Sequence, residues 1–233
     1  MAGMRRLAHT LLVAGACLSG CSWGAPSSFR YKITVEVETP SGIRTGEAVR
    51  EVRFYSRADR GGYGTAERGE AVAVDVAPGQ TLFALISGDG EDFYAAFPKA
   101  REERNEGDQS GAVEIWPDWP DRGYFRIDEY GRKLPNKTGA RFKPPVPRLV
   151  RFTDVLDPKS VEEVQPNDLA ASFGSPMRLK RIAVEVCRWC AVTSSVGNRL
   201  TWLGKHPEPS LDPNHAASDT SLAARLHHGN FRQ

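Results

Sequence analysis

Apolar side chains recur at every second position through Tyr31, Ile33, Val35 and Val37, while Lys32, Thr34, Glu36 and Glu38 fill the positions between them. A period of two belongs to a strand with one buried and one solvated face, so this segment cannot serve as an amphipathic helix. The pattern returns at Val72, Val74 and Val76, and after Ala77-Pro78-Gly79-Gln80 the chain resumes in Thr81-Leu82-Phe83-Ala84-Leu85-Ile86. The intervening turn is too short for a crossover, which predicts an antiparallel hairpin. Leu82 to Ile86 lacks a polar alternate altogether and is predicted to be a central strand buried on both sides. Glu47 to Tyr55 continues in β-type residues, but Val49 is out of phase with Val52 and Phe54, which predicts a bulge near Arg50-Glu51. Leu149 to Val155 and Arg181 to Cys187 supply two more strands.

Helical signals are short. Asp157-Pro158 is suited to capping a turn, residues 167–174 carry a cap residue at one end and Gly174 at the other, and residues 219–229 form a similar brief candidate. Six or so short strands with Gly/Pro punctuation therefore predict a mainly β fold, an antiparallel sandwich or a strongly curved sheet with a few short helices and long loops. The 40% apolar fraction among 233 residues suffices for a core without metal or disulfide staples. One β-rich domain is expected over residues 29–203, with long surface loops near 89–109 and 116–147. Residues 204–233 carry Leu211, Leu222, Leu226 and Phe231 as their only apolar side chains beyond Ala and Pro, and are expected to form a flexible polar tail.

The beginning of the chain has a different character. Met1 to Arg6 is short and positive, and Leu7 to Gly20 is apolar or small apart from His9, Thr10 and Ser19, so residues 1–20 read as a secretory signal peptide. Leu18-Ser19-Gly20-Cys21 then resembles the lipobox of bacterial lipoproteins at every position: a branched aliphatic, two small residues and the cysteine. That resemblance implies cleavage before Cys21, a diacylglycerol on the Cys21 thiol and an acylated amino terminus. Two or three such chains hold firmly where one does not, so the mature protein is expected to be membrane-anchored through residues 21–28 without spanning the bilayer. In lipoproteins of this kind an Asp after the cysteine favours the inner membrane, and Ser22 here implies the outer membrane, facing the periplasm. Once Arg5 and Arg6 are removed the formal charge of +2 falls to zero, leaving no basic field to recruit nucleic acid.

Further pieces carry a second resemblance. Tyr31 to Val37 with Thr39-Pro40, Gly69 to Asp75, Thr81 to Leu85, Leu149 to Asp154 with Asp157 to Val161, and Asp168 to Gly174 before Arg178 to Ile182 look like a family of uncharacterised bacterial proteins, often lipoproteins. The resemblance covers most of residues 30–203 and implies no particular activity. Thr201, the Cys187-Cys190 spacing and everything after Leu203 depart from the family's pattern.

With Cys17 removed and Cys21 lipidated, Cys187 and Cys190 are the remaining thiols, and an oxidising exported compartment favours a local bridge between them. The CxxC spacing also suits a thiol-disulfide protein, yet Val184 and Val186 alternate up to Cys187 and no activating helix is evident after Cys190. A metal site would have to draw His206, His215, His227 and His228 from the tail onto these cysteines. Because all the histidines lie outside the expected domain, Ser-His-Asp and Cys-His catalysis inside it is disfavoured. No nucleotide-binding motif occurs, and no cofactor is implied. Carboxylates survive this filter: Asp118 and Asp121 stand among Trp116, Trp119, Tyr124 and Tyr130, aromatics beside paired acids being what a glycan-processing cleft would use. The favoured reading is a non-enzymatic envelope lipoprotein whose β domain binds an envelope protein or glycan or does structural work. A carboxylate-dependent glycan or cell-wall hydrolase and a thiol-disulfide protein are the alternatives.

Overall fold

A computed structural model of the chain describes residues 28–56, 63–88, 90–97, 100, 109–117, 126–127, 133–134, 147–174, 176–193, 195–204 and 210–233. In chain order the strands are β1 (Ser28–Thr39), β2 (Gly42–Ser56), β3 (Tyr63–Arg68), β4 (Val72–Ala77), β5 (Gln80–Ala84), β6 (Ala112–Trp116), β7 (Arg126–Ile127), β8 (Lys133–Leu134), β9 (Leu149–Phe152), β10 (Val161–Glu163) and β11 (Arg178–Val186). Three short helices are described, α1 (Glu91–Ala96), α2 (Leu169–Phe173) and α3 (Leu222–Arg225). The strands form a five-stranded sheet in the order β3-β2-β1-β11-β6, a four-stranded sheet in the order β10-β9-β5-β4, and a small β7-β8 ribbon. Every pairing among the described strands is antiparallel. The mainly β sandwich expected from the sequence is the observed architecture.

The two sheets face each other through the alternating positions. Tyr31, Ile33, Val35 and Val37 of β1, Ala48 and Val52 of β2, and Val72, Val74, Val76, Leu82 and Ala84 of the smaller sheet all enter one core. The sheets approach closely where Gly46 meets β4: a Cβ there would stand 2.3 Å from the Ala73 carbonyl oxygen, a distance that no side chain tolerates. The opposite face of the larger sheet is a ladder of opposite charges. Lys32 lies 3.7 Å from Glu47 and 3.2 Å from Glu185, and Glu36 is held by Arg181 at 2.5 Å and Lys180 at 3.2 Å. Such exposed pairs add little stability each, but they keep this face wet.

The hairpin appears as expected, with Val74 opposite Leu82 and Gly79 at a positive φ of 71° in the turn. The local signals for helix ends also hold. Asp157 accepts the Lys159 N–H at 2.9 Å, Asp168 accepts the Ala171 N–H at 3.1 Å at the start of α2, and Gly174 closes that helix at φ 65°. The expected bulge at Arg50-Glu51 does not occur. The β1–β2 register runs without a shift from Ser28↔Arg53 to Thr39↔Gly42. The alternation seemed broken because Arg50 itself points inward between Ala48 and Val52, while Val49, on the other face, is covered where Thr193 crosses the edge of β2 and hydrogen-bonds its N–H and carbonyl.

Residues 204–233 require a larger correction. Far from a loose tail, residues 210–233 pack on the back of the four-stranded sheet, where Leu211, Ala223, Leu226 and Phe231 join Phe83, Leu85, Val150 and Val161 in a second core. Backbone hydrogen bonds stitch the segment down: Ala71 N–H to Phe231 carbonyl and Ile86 N–H to Asn230 carbonyl at 2.8 Å each, and a reciprocal pair between Gly69 and Gln233 at 3.1 and 2.9 Å. The expectation of mobility counted only the segment's own apolar area. A strand layer already half built supplies the rest, so few apolar side chains are enough when each lands on an apolar face. The acidic stretch 89–109 is corrected in the same sense, since its Glu91–Ala96 portion is a helix whose Phe93, Tyr94 and Phe97 lie in the intersheet core.

Phe231 is fully buried against Phe83 and Phe152, with ring centroids 6.1 and 5.6 Å away. Phe231→Ala is expected to lower unfolding stability by about 3–5 kcal/mol, read as a fall in the urea midpoint at unchanged slope. An unchanged midpoint would mean that the segment docks without contributing.

Candidate functional site

Among the described residues, three places gather polar chemistry. The first is enclosed. Arg50 is 0% exposed at an inward position of β2, directly across the strand pair from Tyr31. A guanidinium cannot shed its charge, so its donors must all find acceptors. Nη1 meets Asp92 Oδ2 of α1 at 2.5 Å, Nε donates to the Glu70 carbonyl at 3.0 Å, and Nη2 reaches the Ala84 and Leu85 carbonyls at 3.4 Å each. Asp92 is oriented from its other side by the Ser87 hydroxyl at 2.7 Å. Beside this pair Tyr31 donates its hydroxyl to Glu67 of β3, and the second Glu67 oxygen accepts the Gly90 N–H at 3.0 Å. Gly90 adopts φ 73°, the left-handed conformation that starts α1 and aims this N–H at the carboxylate.

Burial dominates the proton affinities in this cluster. It pushes the Glu67 carboxyl upward, against the opposing pull of the Arg50 charge and the Tyr31 hydroxyl, and it carries the Tyr31 phenol well above its ordinary range. Burial likewise raises Asp92 while Arg50 and Ser87 oppose it. All four groups are buried, and their chemistry is that of a polar rivet joining β1, β2, β3, the end of β5 and α1. Sequence reasoning missed it, although the signal was present: an arginine in phase with Ala48 and Val52, and an acid immediately ahead of Phe93-Tyr94.

The second place is a groove of about 560 Å³ at the end of the sandwich that carries the β1–β2 turn and the β4–β5 turn. Ala77, Pro78 and Val155 provide apolar lining, and Arg44, Asp75 and Arg199 bring charge to it. Asp75 accepts Arg199 Nη2 at 2.8 Å and the Thr81 hydroxyl at 2.8 Å. The Arg199 hydrogen bond holds this carboxyl below its ordinary value, with Thr81 assisting and partial burial opposing. Leu156, 71% exposed, follows the lining residue Val155.

The third place is the Cys187-Arg188-Trp189-Cys190 loop that leaves β11. The two cysteines are joined in a disulfide, with Cα atoms 5.6 Å apart. Arg30 of β1 grips the loop at both ends, its carbonyl accepting the Cys187 N–H at 2.9 Å and its Nη1 donating to the Cys190 carbonyl at 3.0 Å. Trp189 projects from this frame 94% exposed. Residues 191–193 carry no helix, and the next described turn is the 3₁₀ segment Val196–Asn198, so among the described residues no helix begins directly after the cysteines.

Other residues singled out from the sequence fall elsewhere. Trp116, expected in a surface loop, ends β6 with its ring in the intersheet core and its indole N–H turned to the Leu179 carbonyl at 3.4 Å. Its size and the apolar register of β6 draw it inward, where it cannot line a cleft. Asp118, Trp119, Asp121, Tyr124 and Tyr130 lie outside the described residues, as do Cys21 and His206. The remaining tail histidines sit on the folded carboxyl-terminal segment. His228 stacks edge-on against Trp202 at 5.4 Å and accepts the Gly204 N–H through Nδ1 at 3.0 Å. His215 turns Nδ1 to the Asp212 carbonyl at 2.5 Å, so it faces the Ser210 hydroxyl as a donor and not as a base. Among the described residues, no group of three or more His, Cys, Asp or Glu is arranged to hold a metal ion. Compared with protein-family models, with curated proteins and with solved structures, the chain matches none.

Two outcomes follow from the enclosed cluster. Arg50→Met leaves Asp92 buried without its counter-ion and is expected to cost about 3–5 kcal/mol, part of which returns when Asp92→Asn is added, as a double-mutant cycle in urea would show. Glu67 is raised from 4.5 in the folded protein, so the native state holds a proton that the unfolded chain releases. Stability from this group is complete below pH 4.5 and declines as pH rises through the folded value. Glu67→Gln should flatten that portion of the stability–pH curve, and an unaltered curve would place the proton on another group.

Proposed function

We propose that the chain is an envelope lipoprotein, held by acyl chains on Cys21 and displaying its β-sandwich as a binding or structural module. The observation that carries this reading is the basic, apolar and small-residue progression ending in Leu18-Ser19-Gly20-Cys21, placed just ahead of a strand that begins at Ser28. Anchor and domain are therefore separated by residues 22–27 alone. A disulfide between Cys187 and Cys190 favours an oxidising compartment over the cytosol, which supports export. No described helix is long and apolar enough to cross a membrane, and a lipid anchor requires none. Ser22 directs the proposal to the outer membrane, with the domain in the periplasm.

β1 runs away from this anchor for 12 residues, a span of about 36 Å at the rise of an extended strand. The groove between Arg44 and Arg199 lies beside the turn at its far end. We assign to it the binding of an envelope protein or glycan segment that combines an apolar stretch with a polar group able to compete for Arg199.

The test is at the anchor. Cys21→Ala is expected to abolish incorporation of labelled fatty acid and to leave precursor that retains residues 1–20, while the wild type partitions with the membrane and carries an acylated amino-terminal peptide by mass. A wild-type protein recovered with an unmodified Cys21 would overturn the proposal.

A further inference from the structure

A tryptophan is the largest apolar side chain available, and one held 94% exposed forgoes the burial that usually holds such a ring. Single exposed apolar residues are ordinary on protein surfaces, and a mobile segment can fold such a residue under cover. Trp189 cannot be covered in this way, because its loop is closed by the Cys187–Cys190 disulfide and clamped at both ends by Arg30. Arg30 is itself fixed by Glu51, whose carboxylate lies 3.1 Å from Nη2 and also accepts Arg53 Nε at 2.7 Å. The ring is thus presented in a set direction by a frame rooted in β1 and β2.

Its location identifies what can cover it. Cys187 is tied to Arg30, two residues into β1, so the loop stands at the end of the sandwich where the chain arrives from Cys21. Six residues separate Cys21 from Ser28, and the seven steps between them reach at most about 25 Å when fully extended. Any bilayer that holds acyl chains on Cys21 therefore lies within that distance of this end of the domain. Indole rings concentrate at the boundary between lipid headgroups and hydrocarbon, where the ring is apolar and its N–H stays wet. Among the described residues, Arg30 and Arg53 share Glu51 beside the loop, and Arg188 stands within it.

We infer that Trp189 is a membrane-interface anchor: the disulfide loop seats this end of the domain on the bilayer that holds the lipid, fixing the orientation of the sandwich and turning the Arg44–Arg199 groove outward. This rests on the lipoprotein reading above. A lipid attachment at one point does not by itself fix the orientation of a domain, whereas a second contact point at the loop does. The two attachments act as linked sites, each raising the effective concentration of the other at the surface.

The full acylated protein, reconstituted in vesicles of phosphatidylethanolamine and phosphatidylglycerol at 3:1, gives the test. Trp189→Phe removes one exposed indole without touching the core, so the difference between wild-type and variant emission reports Trp189 alone. The expected result is a blue-shifted difference spectrum, quenched by lipids brominated near the headgroup and shielded from aqueous iodide. Flotation and the mass of the amino-terminal peptide are read on the same samples. Protein that floats and is acylated, but whose Trp189 emission is water-like and freely quenched by iodide, overturns the interface anchor and leaves the lipoprotein reading intact. Protein whose Cys21 carries no lipid overturns both.

Discussion

A full positive charge is locked between the two sheets, and the arrangement around it depends on satisfying that charge. Arg50 cannot be neutralised, so Asp92 must stand 2.5 Å from it, and the Glu70, Ala84 and Leu85 carbonyls must turn toward the remaining donors. The partners come from three stretches of chain, and each fixes where its stretch can lie. The end of β5 is held against β2, the crossing between β3 and β4 is drawn over the guanidinium, and α1 is rotated so that Asp92 faces inward. A hydrophobic pair of equal volume would hold the layers together at least as well. The role we assign to the ion pair is registration, since a forked donor is satisfied in one arrangement where apolar surfaces accept many.

The four-stranded sheet follows a second constraint. Its central strand β5 alternates Leu82 and Ala84 toward the larger sheet with Phe83 and Leu85 toward the other side, so both faces have to be covered. The larger sheet covers one, and the carboxyl-terminal segment covers the other with Leu211, Leu226 and Phe231. The fold is therefore three layers deep around β5, and the last residue, Gln233, is hydrogen-bonded to Gly69 next to the Arg50 cluster.

The molecule is polar along β1. At one end lie the first residues of the domain, the Cys187–Cys190 loop and Trp189; at the other lie the hairpin turns and the groove lined by Arg44 and Arg199. On the proposed reading these are the membrane-facing and partner-facing ends. The charged outer face of the larger sheet, with its alternating Lys32, Glu36, Arg181 and Glu47, joins the two as a solvated flank.

Much of the frame was legible in the residues because it is local. Period-two alternation in β1 and β4, the Pro78-Gly79 turn, the Asp157 and Asp168 caps and the Gly174 stop each follow from backbone geometry within a few residues, and each is found in place. The uninterrupted run from Leu82 to Ile86 even determined that two faces required cover. Which segment provides the second cover was settled only by tertiary structure, because Phe231 lies about 150 positions from Phe83 in the chain and no local pattern encodes a contact so distant. Arg50 looked like a fault in the alternation, and only its partners from the β3–β4 crossing, α1 and the end of β5 make an inward arginine tolerable. Trp116 and Trp189 complete the contrast: sequence marks both as large and aromatic, and it is the packing of β6 into the core and the closure of a disulfide loop at the surface that bury one and expose the other.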